Sequence, residues 1–171
     1  MELDPQALSR AKQQAFRFLA YRNQTSNELR DRLLRRGHMT RVVDEVLRQL
    51  EIEGYIDDRK FALDWVRYRL QVRPLGRRRL SWELQRRGMD REVLQEVLRQ
   101  VYAEFDEVTL ATQVARKQAR RTGPANAVDE RQRLTRVLLR LGFDPDTIAA
   151  ALAAIFPSVD TLDIVPYDDA C

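Results

Sequence analysis

Apolar residues recur every three to four positions through most of the chain, which is the spacing of helices that bury one face. Few β-branched runs alternate with period two, and the six Gly and six Pro fall mainly between the periodic segments. We therefore predict an all-α protein with about nine helices.

Residues that start and stop helices divide this pattern. The predicted N-caps of the first three helices are, in order, Asp4, Thr25 and Thr40. Pro5 suits the first position of the first helix, which should end near residue 20. Glu28 has capping-box spacing to Thr25, and Gly37 should end the second helix. The third helix is expected to end near Gly54.

The pattern of the second and third helices returns twice. The segment "NELRDRLLRRGHMTRVVDEVLRQL" is repeated as "RRLSWELQRRGMDREVLQEVLRQV" and, more weakly, as "QRLTRVLLRLGFDPDTIAAALAAI". The glycines that anchor the three copies are Gly37, Gly88 and Gly142. Leucines stand eight and four residues before each glycine: Leu29, Leu80, Leu134, Leu33, Leu84 and Leu138. An apolar residue and a predicted cap then follow: Met39 and Thr40, Met89 and Asp90, Phe143 and Asp144.

The glycine spacings of 51 and 54 residues leave room for three helices per copy. We predict an elongated array of three tandem three-helix repeats, spanning residues 1–56, 57–105 and 106–156. Residues 157–171 carry four aspartates and no basic residue, so we expect a flexible acidic tail. The segment "RTGPANA", residues 121–127, is the predicted flexible loop within the array.

The stretch "GYIDDRKFA" places two carboxylates side by side. As an acid pair they would have to converge on one point, but adjacent residues at a helix start project about 100° apart. We instead interpret Asp57 as an N-cap and Asp58 as a first-turn charge that favours the helix dipole. Ile56 would then pack on Phe61 as a hydrophobic staple. The third repeat has no "YIDD" sequence.

The charge is unevenly distributed. Of the 30 basic residues, 27 are Arg, and residues 141–171 carry six Asp with no Lys or Arg. The net charge of +4 therefore becomes +10 over residues 1–140. Such a body suits an anionic protein or nucleic-acid surface, although high charge also keeps helices soluble.

No constellation of catalytic or metal-binding residues is present. Cys171 is the single cysteine, His38 is the single histidine, and no phosphate-binding loop, dinucleotide fingerprint or nucleophile elbow occurs. We expect a monomeric, cytoplasmic, non-enzymatic protein without metal or cofactor. The sequence contains no run of about 18 apolar residues, so it predicts no membrane-spanning helix.

The segment "RPLGRRRLSWELQRRGMDR" concentrates arginines around a tryptophan. If Leu80 and Leu84 face the core, then Arg78, Trp82 and Arg86 lie on the opposite side of the helix. This face would bind an acidic protein surface or stack on single-stranded bases. Alternatively, Trp82 packs under a neighbouring repeat with the arginines laid over it.

Arginine also recurs two residues before each anchoring glycine, as Arg35, Arg86 and Arg140. The recurrence favours a shared binding surface, while the alternative is solvated residues that stabilise helix C-termini. The candidate binding residues are Arg35, Arg36, Arg77, Arg78, Arg79, Trp82, Arg86, Arg87 and Arg140.

Three segments together resemble the RecX regulatory proteins of bacterial recombination: "FRFLAYRNQTSNELRDRLLRRG", "GYIDDRKFALDWVRYR" and "GRRRLSWELQRRGMD". The resemblance covers residues 11 to 156 and is weaker in the third repeat. It implies an elongated protein that binds the RecA filament on single-stranded DNA and restrains its ATP hydrolysis, growth and strand exchange. Direct, weak DNA contact would be compatible with that role.

The alternative function is a DNA-binding protein that acts without RecA. The short turns at Gly37, Gly88 and Gly142 would then belong to helix-turn-helix-like modules. Against this, "TRVVDEVLRQLEIEG" and "DREVLQEVLRQVYAEF" are acidic or balanced rather than basic.

Overall fold

The computed structural model describes residues 3–120 and 126–157, and in these ranges it contains nine α-helices and no strands. The helices are α1 (Pro5–Tyr21), α2 (Ser26–Arg35), α3 (Thr40–Ile52), α4 (Asp58–Val72), α5 (Arg77–Gln85), α6 (Arg91–Glu104), α7 (Glu107–Ala119), α8 (Ala127–Arg140) and α9 (Pro145–Ala153). This confirms the predicted fold class. None of the described helices combines the length and apolarity needed to cross a bilayer. The predicted tail after Pro157 and most of the predicted loop at 121–127 lie outside the described residues.

Seven of the described helices begin at a polar side chain that accepts a backbone N–H. Five of these caps were predicted from the sequence: Asp4, Thr25, Asp57, Asp90 and Asp144. Asp106 and Asn126 cap α7 and α8 and were not predicted. The prediction for Thr40 was wrong: it is the first residue of α3, and Met39 takes the N-cap position without a side-chain bond. The N-terminus of α3 therefore lacks the side-chain acceptor that α6 and α9 have.

The helices pack as three units, namely α1–α3, α4–α6 and α7–α9. The six anchoring leucines, Leu29, Leu33, Leu80, Leu84, Leu134 and Leu138, are all fully buried, as their spacing predicted. The buried residues of the second and third units form one continuous apolar cluster, whereas those of the first unit form a separate one.

Each second helix of a unit ends in the same glycine turn. Gly37, Gly88 and Gly142 have φ of 85°, 71° and 84°, the left-handed region in which glycine is favoured. The residue after each glycine donates its N–H back to the fourth residue before that glycine, which closes the turn. These bonds set the register of the three units: His38, Met89 and Phe143 occupy one position, and Met39, Asp90 and Asp144 occupy the next.

The predicted hydrophobic staple does not form. Ile56 is buried in the apolar cluster of the first unit, whereas Phe61 packs against the cluster of the second and third units. Ile56 and Phe61, on either side of the Asp57 cap, therefore pack in different apolar clusters. The connection between α3 and α4 is thus held by apolar contacts at both ends.

Candidate functional site

The α5 patch comprises Arg77, Arg78, Arg79, Trp82, Arg86 and Arg87, and all of these except the half-buried Arg87 are exposed. Its centre is Trp82, whose side chain is 45% exposed. The guanidinium carbons of Arg79 and Arg86 lie 4.9 and 4.8 Å from the centroid of the Trp82 ring. Such stacking restrains both arginines on the aromatic ring and leaves the N–H groups of Arg86 able to bind an acceptor. The indole is thus not buried under a neighbouring unit, although arginines do cover it.

Arg78 extends the patch into a pocket between α5 and α6. The pocket is lined by Arg77, Arg78, Ser81, Trp82 and Gln85 from α5 and by Gln95 and Leu98 from α6. Within the described part of the chain, no carboxylate lies within 4.0 Å of the guanidinium of Arg78 or Arg86. These two cations are therefore available to an anionic partner.

The other arginines of the patch are engaged within the protein. Arg79 pairs with Glu83 at 2.7 Å, and Arg77 approaches Glu107 at 3.6 Å. Arg87 pairs with Glu28 of the first unit at 3.2 Å. Arg77 and Arg87 accordingly connect units, a role that their sequence context did not indicate.

The remaining candidate arginines lie on other units. Arg35 and Arg140 are the last residues of α2 and α8, and Arg86 follows the last residue of α5. All three are exposed at helix C-termini, where a cation is favoured by the dipole. Arg36 is also exposed, and its guanidinium carbon lies 5.8 Å from the centroid of the Phe18 ring. The structure thus groups Arg79, Trp82 and Arg86 with Arg78 on the second unit and leaves Arg35, Arg36 and Arg140 on the first and third.

The first and second units meet at the first joint, which places the start of α2 on the Gly88 turn. The hydroxyl of Thr25 donates to the carbonyl oxygen of Arg87 at 2.8 Å. A Cβ added to Gly88 would lie 2.0 Å from Nδ2 of Asn27, so no side chain fits at this position. The Glu28–Arg87 ion pair closes the contact. Glu28 thus reaches across the joint as well as standing at the capping-box position.

The second joint repeats this arrangement between the second and third units. The N–H of Gly76 donates to the carbonyl oxygen of Leu141 at 2.9 Å, and that of Arg78 donates to Gly142 at 3.1 Å. A Cβ on Gly76 would lie 2.1 Å from the backbone of Gly142, and one on Gly142 would lie 2.4 Å from Arg79. The start of α5 is therefore seated directly on the Gly142 turn.

Each joint also contains an acidic residue, Asp58 in the first and Glu107 in the second. The sequence predicted for Asp58 only a role in its own helix, and it predicted no role for Glu107. Asp58 accepts the backbone N–H of Ser26 at 2.8 Å, and Glu107 accepts that of Arg77 at 2.8 Å. The two acids follow the caps Asp57 and Asp106, so residues 106–107 are the counterpart of the aspartate pair. The sequence signal for this contact is a cap followed directly by an acid, which recurs as Asp106–Glu107 although the third repeat has no "YIDD".

Burial affects two ionisable groups beside the second joint. It raises the pKa of the Glu107 carboxyl, while the N–H and charge of Arg77 oppose the rise. It also raises the pKa of the Tyr102 phenol far above its usual range, and the nearby charge of Glu107 adds to this effect. The Tyr102 hydroxyl donates to the carbonyl oxygen of Leu75 at 2.7 Å, which ties the loop before α5 to α6.

His38 and the acidic residues do not assemble a metal site. Across the described ranges, no group of three or more His, Cys, Asp or Glu side chains is placed to hold an ion. His38 Nε2 instead lies 3.0 Å from Oε1 of Gln14, which links the Gly37 turn to α1.

Family models match all three units. They describe the first, second and third three-helix domains of RecX and match residues 11–50, 57–98 and 106–152. A protein named Regulatory protein RecX from Halorhodospira halophila is 39% identical over 142 residues, covering 82% of this chain and 84% of its own length. Its namesake from the Nichols strain of Treponema pallidum is 35% identical over 140 residues, covering 81% of each.

Some relatives are considerably longer. The Regulatory protein RecX of Geobacillus thermodenitrificans is 35% identical over 150 residues, which is 85% of this chain but 54% of the relative. The chain therefore spans about half the length of that protein.

Solved structures share the fold. A crystal structure of RecX from Lactobacillus salivarius superposes with a TM-score of 0.82 at 21% identity, covering 88% of this chain and 97% of the other. A second, described as a crystal structure of regulatory protein RecX, has a TM-score of 0.71 at 21% identity and covers 87% and 77%.

Proposed function

This chain belongs to the RecX family of regulatory proteins, and from that premise we propose that it binds the RecA filament on single-stranded DNA. There it restrains ATP hydrolysis, filament growth and strand exchange. In this proposal the chain acts by binding, as a monomer in the cytoplasm, and carries out no chemistry of its own.

The observation that carries the proposal is the exposed centre of the α5 patch. Trp82 is held between Arg79 and Arg86, and Arg78 stands at the adjacent pocket without a carboxylate partner among the described residues. A guanidinium binds carboxylate or phosphate through two parallel N–H bonds, and Trp and Arg dominate the energetics of many interfaces. An acidic surface of the filament is the partner that this chemistry fits.

The row of units supports a filament as the partner. Identical subunits recur at regular intervals along a filament, and a protein built of three successive units can contact more than one of them. Binding spread over neighbouring subunits would oppose the changes between subunits that accompany ATP hydrolysis. It would also raise the overall affinity above that of any single contact.

Direct reading of duplex DNA is less well supported. The helix that follows the Gly88 turn, α6, carries three Glu and two Arg, and two of its acids are already paired with arginines of α4. A recognition helix would need to bring a basic face to the phosphates.

The experiment is a titration of the protein into RecA that hydrolyses ATP on single-stranded DNA at near-physiological salt. Binding to the same DNA without RecA is followed in parallel. We expect hydrolysis to fall at protein concentrations too low to coat bare DNA. Hydrolysis that stays constant, or falls only when the DNA is coated, would contradict the proposal.

A charge-reversed pair tests the α5 patch. We expect Arg78→Glu/Arg86→Glu to lose inhibition by about tenfold or more, as for central interface residues. The matched control is Arg17→Glu/Arg116→Glu, because these exposed residues of α1 and α7 also lack a carboxylate partner among the described residues. Equal inhibition by the two variants would remove the patch from the mechanism.

A further inference from the structure

The contact that joins the units is used twice within the molecule. In each case the N-terminus of a helix sits on the glycine turn of the next unit, with a donor directed at a carbonyl oxygen of the turn. In each case the glycine has no space for a side chain because the neighbouring helix fills it. The turn at Gly88 holds the start of α2, and the turn at Gly142 holds the start of α5.

The first unit has the same turn, and no described helix start sits on it. Gly37 has the same left-handed backbone, yet a Cβ added to it would meet no atom within 4 Å. Among residues 3–120 and 126–157, no donor reaches the carbonyl oxygen of Arg36 or Gly37, although the corresponding Arg87, Leu141 and Gly142 carbonyls are all bonded across the joints. Met39, two residues after Gly37, is 71% exposed. We call this surface, Arg35 to Met39, the open turn.

The positive charges around the open turn favour a partner that carries an acidic residue. Arg35, Arg36 and Arg41 are exposed. Arg36 corresponds to Arg87, which pairs with Glu28 in the first turn of α2. An occupant therefore needs an acidic residue in its own first turn for Arg36 to bind.

We propose that the open turn is a docking site for the N-terminus of an α-helix on the RecA subunit, which rests on the proposed function. The helix start has Ser, Thr or Gly at the N-cap, whose hydroxyl or backbone N–H bonds the carbonyl oxygen of Arg36, and an acidic residue in the first turn. The protein thereby binds the filament with the same contact that joins its own units.

Within residues 3–120 and 126–157, a second copy of this chain presents no suitable helix start. The N-termini of α2 and α5 are already seated in the two joints. In the third unit the residue twelve positions before the glycine, which corresponds to Thr25 and Gly76, is Glu130. It lies inside the first turn of α8, is 8% exposed and pairs with Arg133 at 2.7 Å. α8 begins one turn earlier, relative to its glycine, than α2 and α5 do.

The test fills the open turn without disrupting it. Asn tolerates the left-handed conformation, so Gly37→Asn keeps the turn and places a side chain where the helix start would sit. Gly54→Asn is the matched control, because Gly54 also has positive φ (74°) and no atom within 4 Å of a Cβ. Binding to preformed RecA filaments is measured by biolayer interferometry, and thermal unfolding confirms that the variants are folded. Arg36→Glu is the second variant and leaves the glycine in place.

We expect Gly37→Asn and Arg36→Glu to weaken filament binding about tenfold or more while Gly54→Asn binds like the wild type. Wild-type binding that neither variant weakens would overturn the docking site and leave the proposed function intact. No wild-type binding to the filament would overturn both. Self-association of the wild type, measured by sedimentation and abolished by Gly37→Asn, would identify a second copy as the occupant and overturn the proposed partner.

Discussion

The carboxylate of Asp58 accepts the backbone N–H of Ser26 at 2.8 Å, a bond that crosses from the second unit to the first. Its neighbour Asp57 accepts the N–H of Lys60 within its own helix. Two adjacent aspartates thus have separate structural roles: Asp57 starts α4, and Asp58 holds the start of α2 against it.

Removing the two carboxylates separately should distinguish these roles. Asp57→Ala should lower the free energy of unfolding by about 1 kcal/mol through loss of a cap. Asp58→Ala should lower it by about 1–3 kcal/mol, because the half-buried N–H of Ser26 loses its partner. Urea unfolding measures both changes. Hydrogen exchange at Ser26 should accelerate only in Asp58→Ala; acceleration in both variants, or in neither, would contradict this assignment.

The second joint predicts an unusual ranking of glycine substitutions. Gly76 has an ordinary φ of −80°, so Gly76→Ala causes no backbone strain. Its Cβ would nevertheless lie 2.1 Å from the backbone of Gly142, which cannot rotate away. We expect a loss of about 3 kcal/mol or more, because overpacking against a rigid neighbour displaces α5 from the turn.

Gly54→Ala is the comparison for that substitution. Gly54 has the left-handed conformation, but its Cβ would meet open space. We expect a loss of about 1–2 kcal/mol from strain alone. Thermal unfolding of the two variants under the same conditions gives the ranking, and a larger loss for Gly54→Ala would show that the joint accommodates a methyl group.

Much of the fold could be predicted from local signals. The caps at Asp4, Thr25 and Asp57 and the buried leucine pairs follow from spacing along one helix, which the sequence displays directly. The joints could not be predicted in this way, because they depend on which carbonyl oxygen meets which N–H across units. Asp58 was assigned to its own helix dipole for that reason.

The register of the repeats was the specific error. An alignment of Met39 with Met89 and Phe143, which are all apolar, predicts Thr40 as the cap of α3. The backbone bonds that close the turns show instead that Met39 corresponds to the caps Asp90 and Asp144. Trp82 illustrates a further limit: periodicity predicted its outward face, but whether another unit covered it depended on the tertiary arrangement.

Acidic conditions should destabilise the protein in a defined window. The hydrogen bond and charge of Arg48, with Gln49, lower the pKa of Glu45 to about 2, and Arg67 lowers the pKa of Glu104. A carboxyl whose pKa is lower in the folded state binds more protons when unfolded, so its contribution to stability is lost as pH falls from about 4.5 to about 2. The raised pKa of Glu107 acts in the opposite direction.

The check is a set of urea midpoints at pH 7, 4.5, 3 and 2. Glu45→Gln should lower the midpoint at pH 7 and flatten the decline below pH 4.5, because it removes one titrating group. Both carboxylates are surface residues, so the change should be modest and should shrink at high salt. A Glu45→Gln variant that declines as steeply as the wild type would assign the acid sensitivity to other residues.

The missing cap of α3 gives the last prediction. Met39 occupies the N-cap position but offers no acceptor, whereas Asp90 caps α6 by accepting the N–H groups of Glu92 and Val93. Met39→Asp should therefore raise the free energy of unfolding by about 1 kcal/mol, and Asp90→Ala should lower it by a similar amount. Little apolar burial is lost, because Met39 is 71% exposed.

If Met39 contacts the partner at the open turn, the same substitution should weaken filament binding even as the protein becomes more stable. Opposite changes in these two measurements would show that the apolar residue is retained for binding at the expense of the helix cap. A variant that gains stability and binds the filament as tightly as the wild type would place Met39 outside the interface.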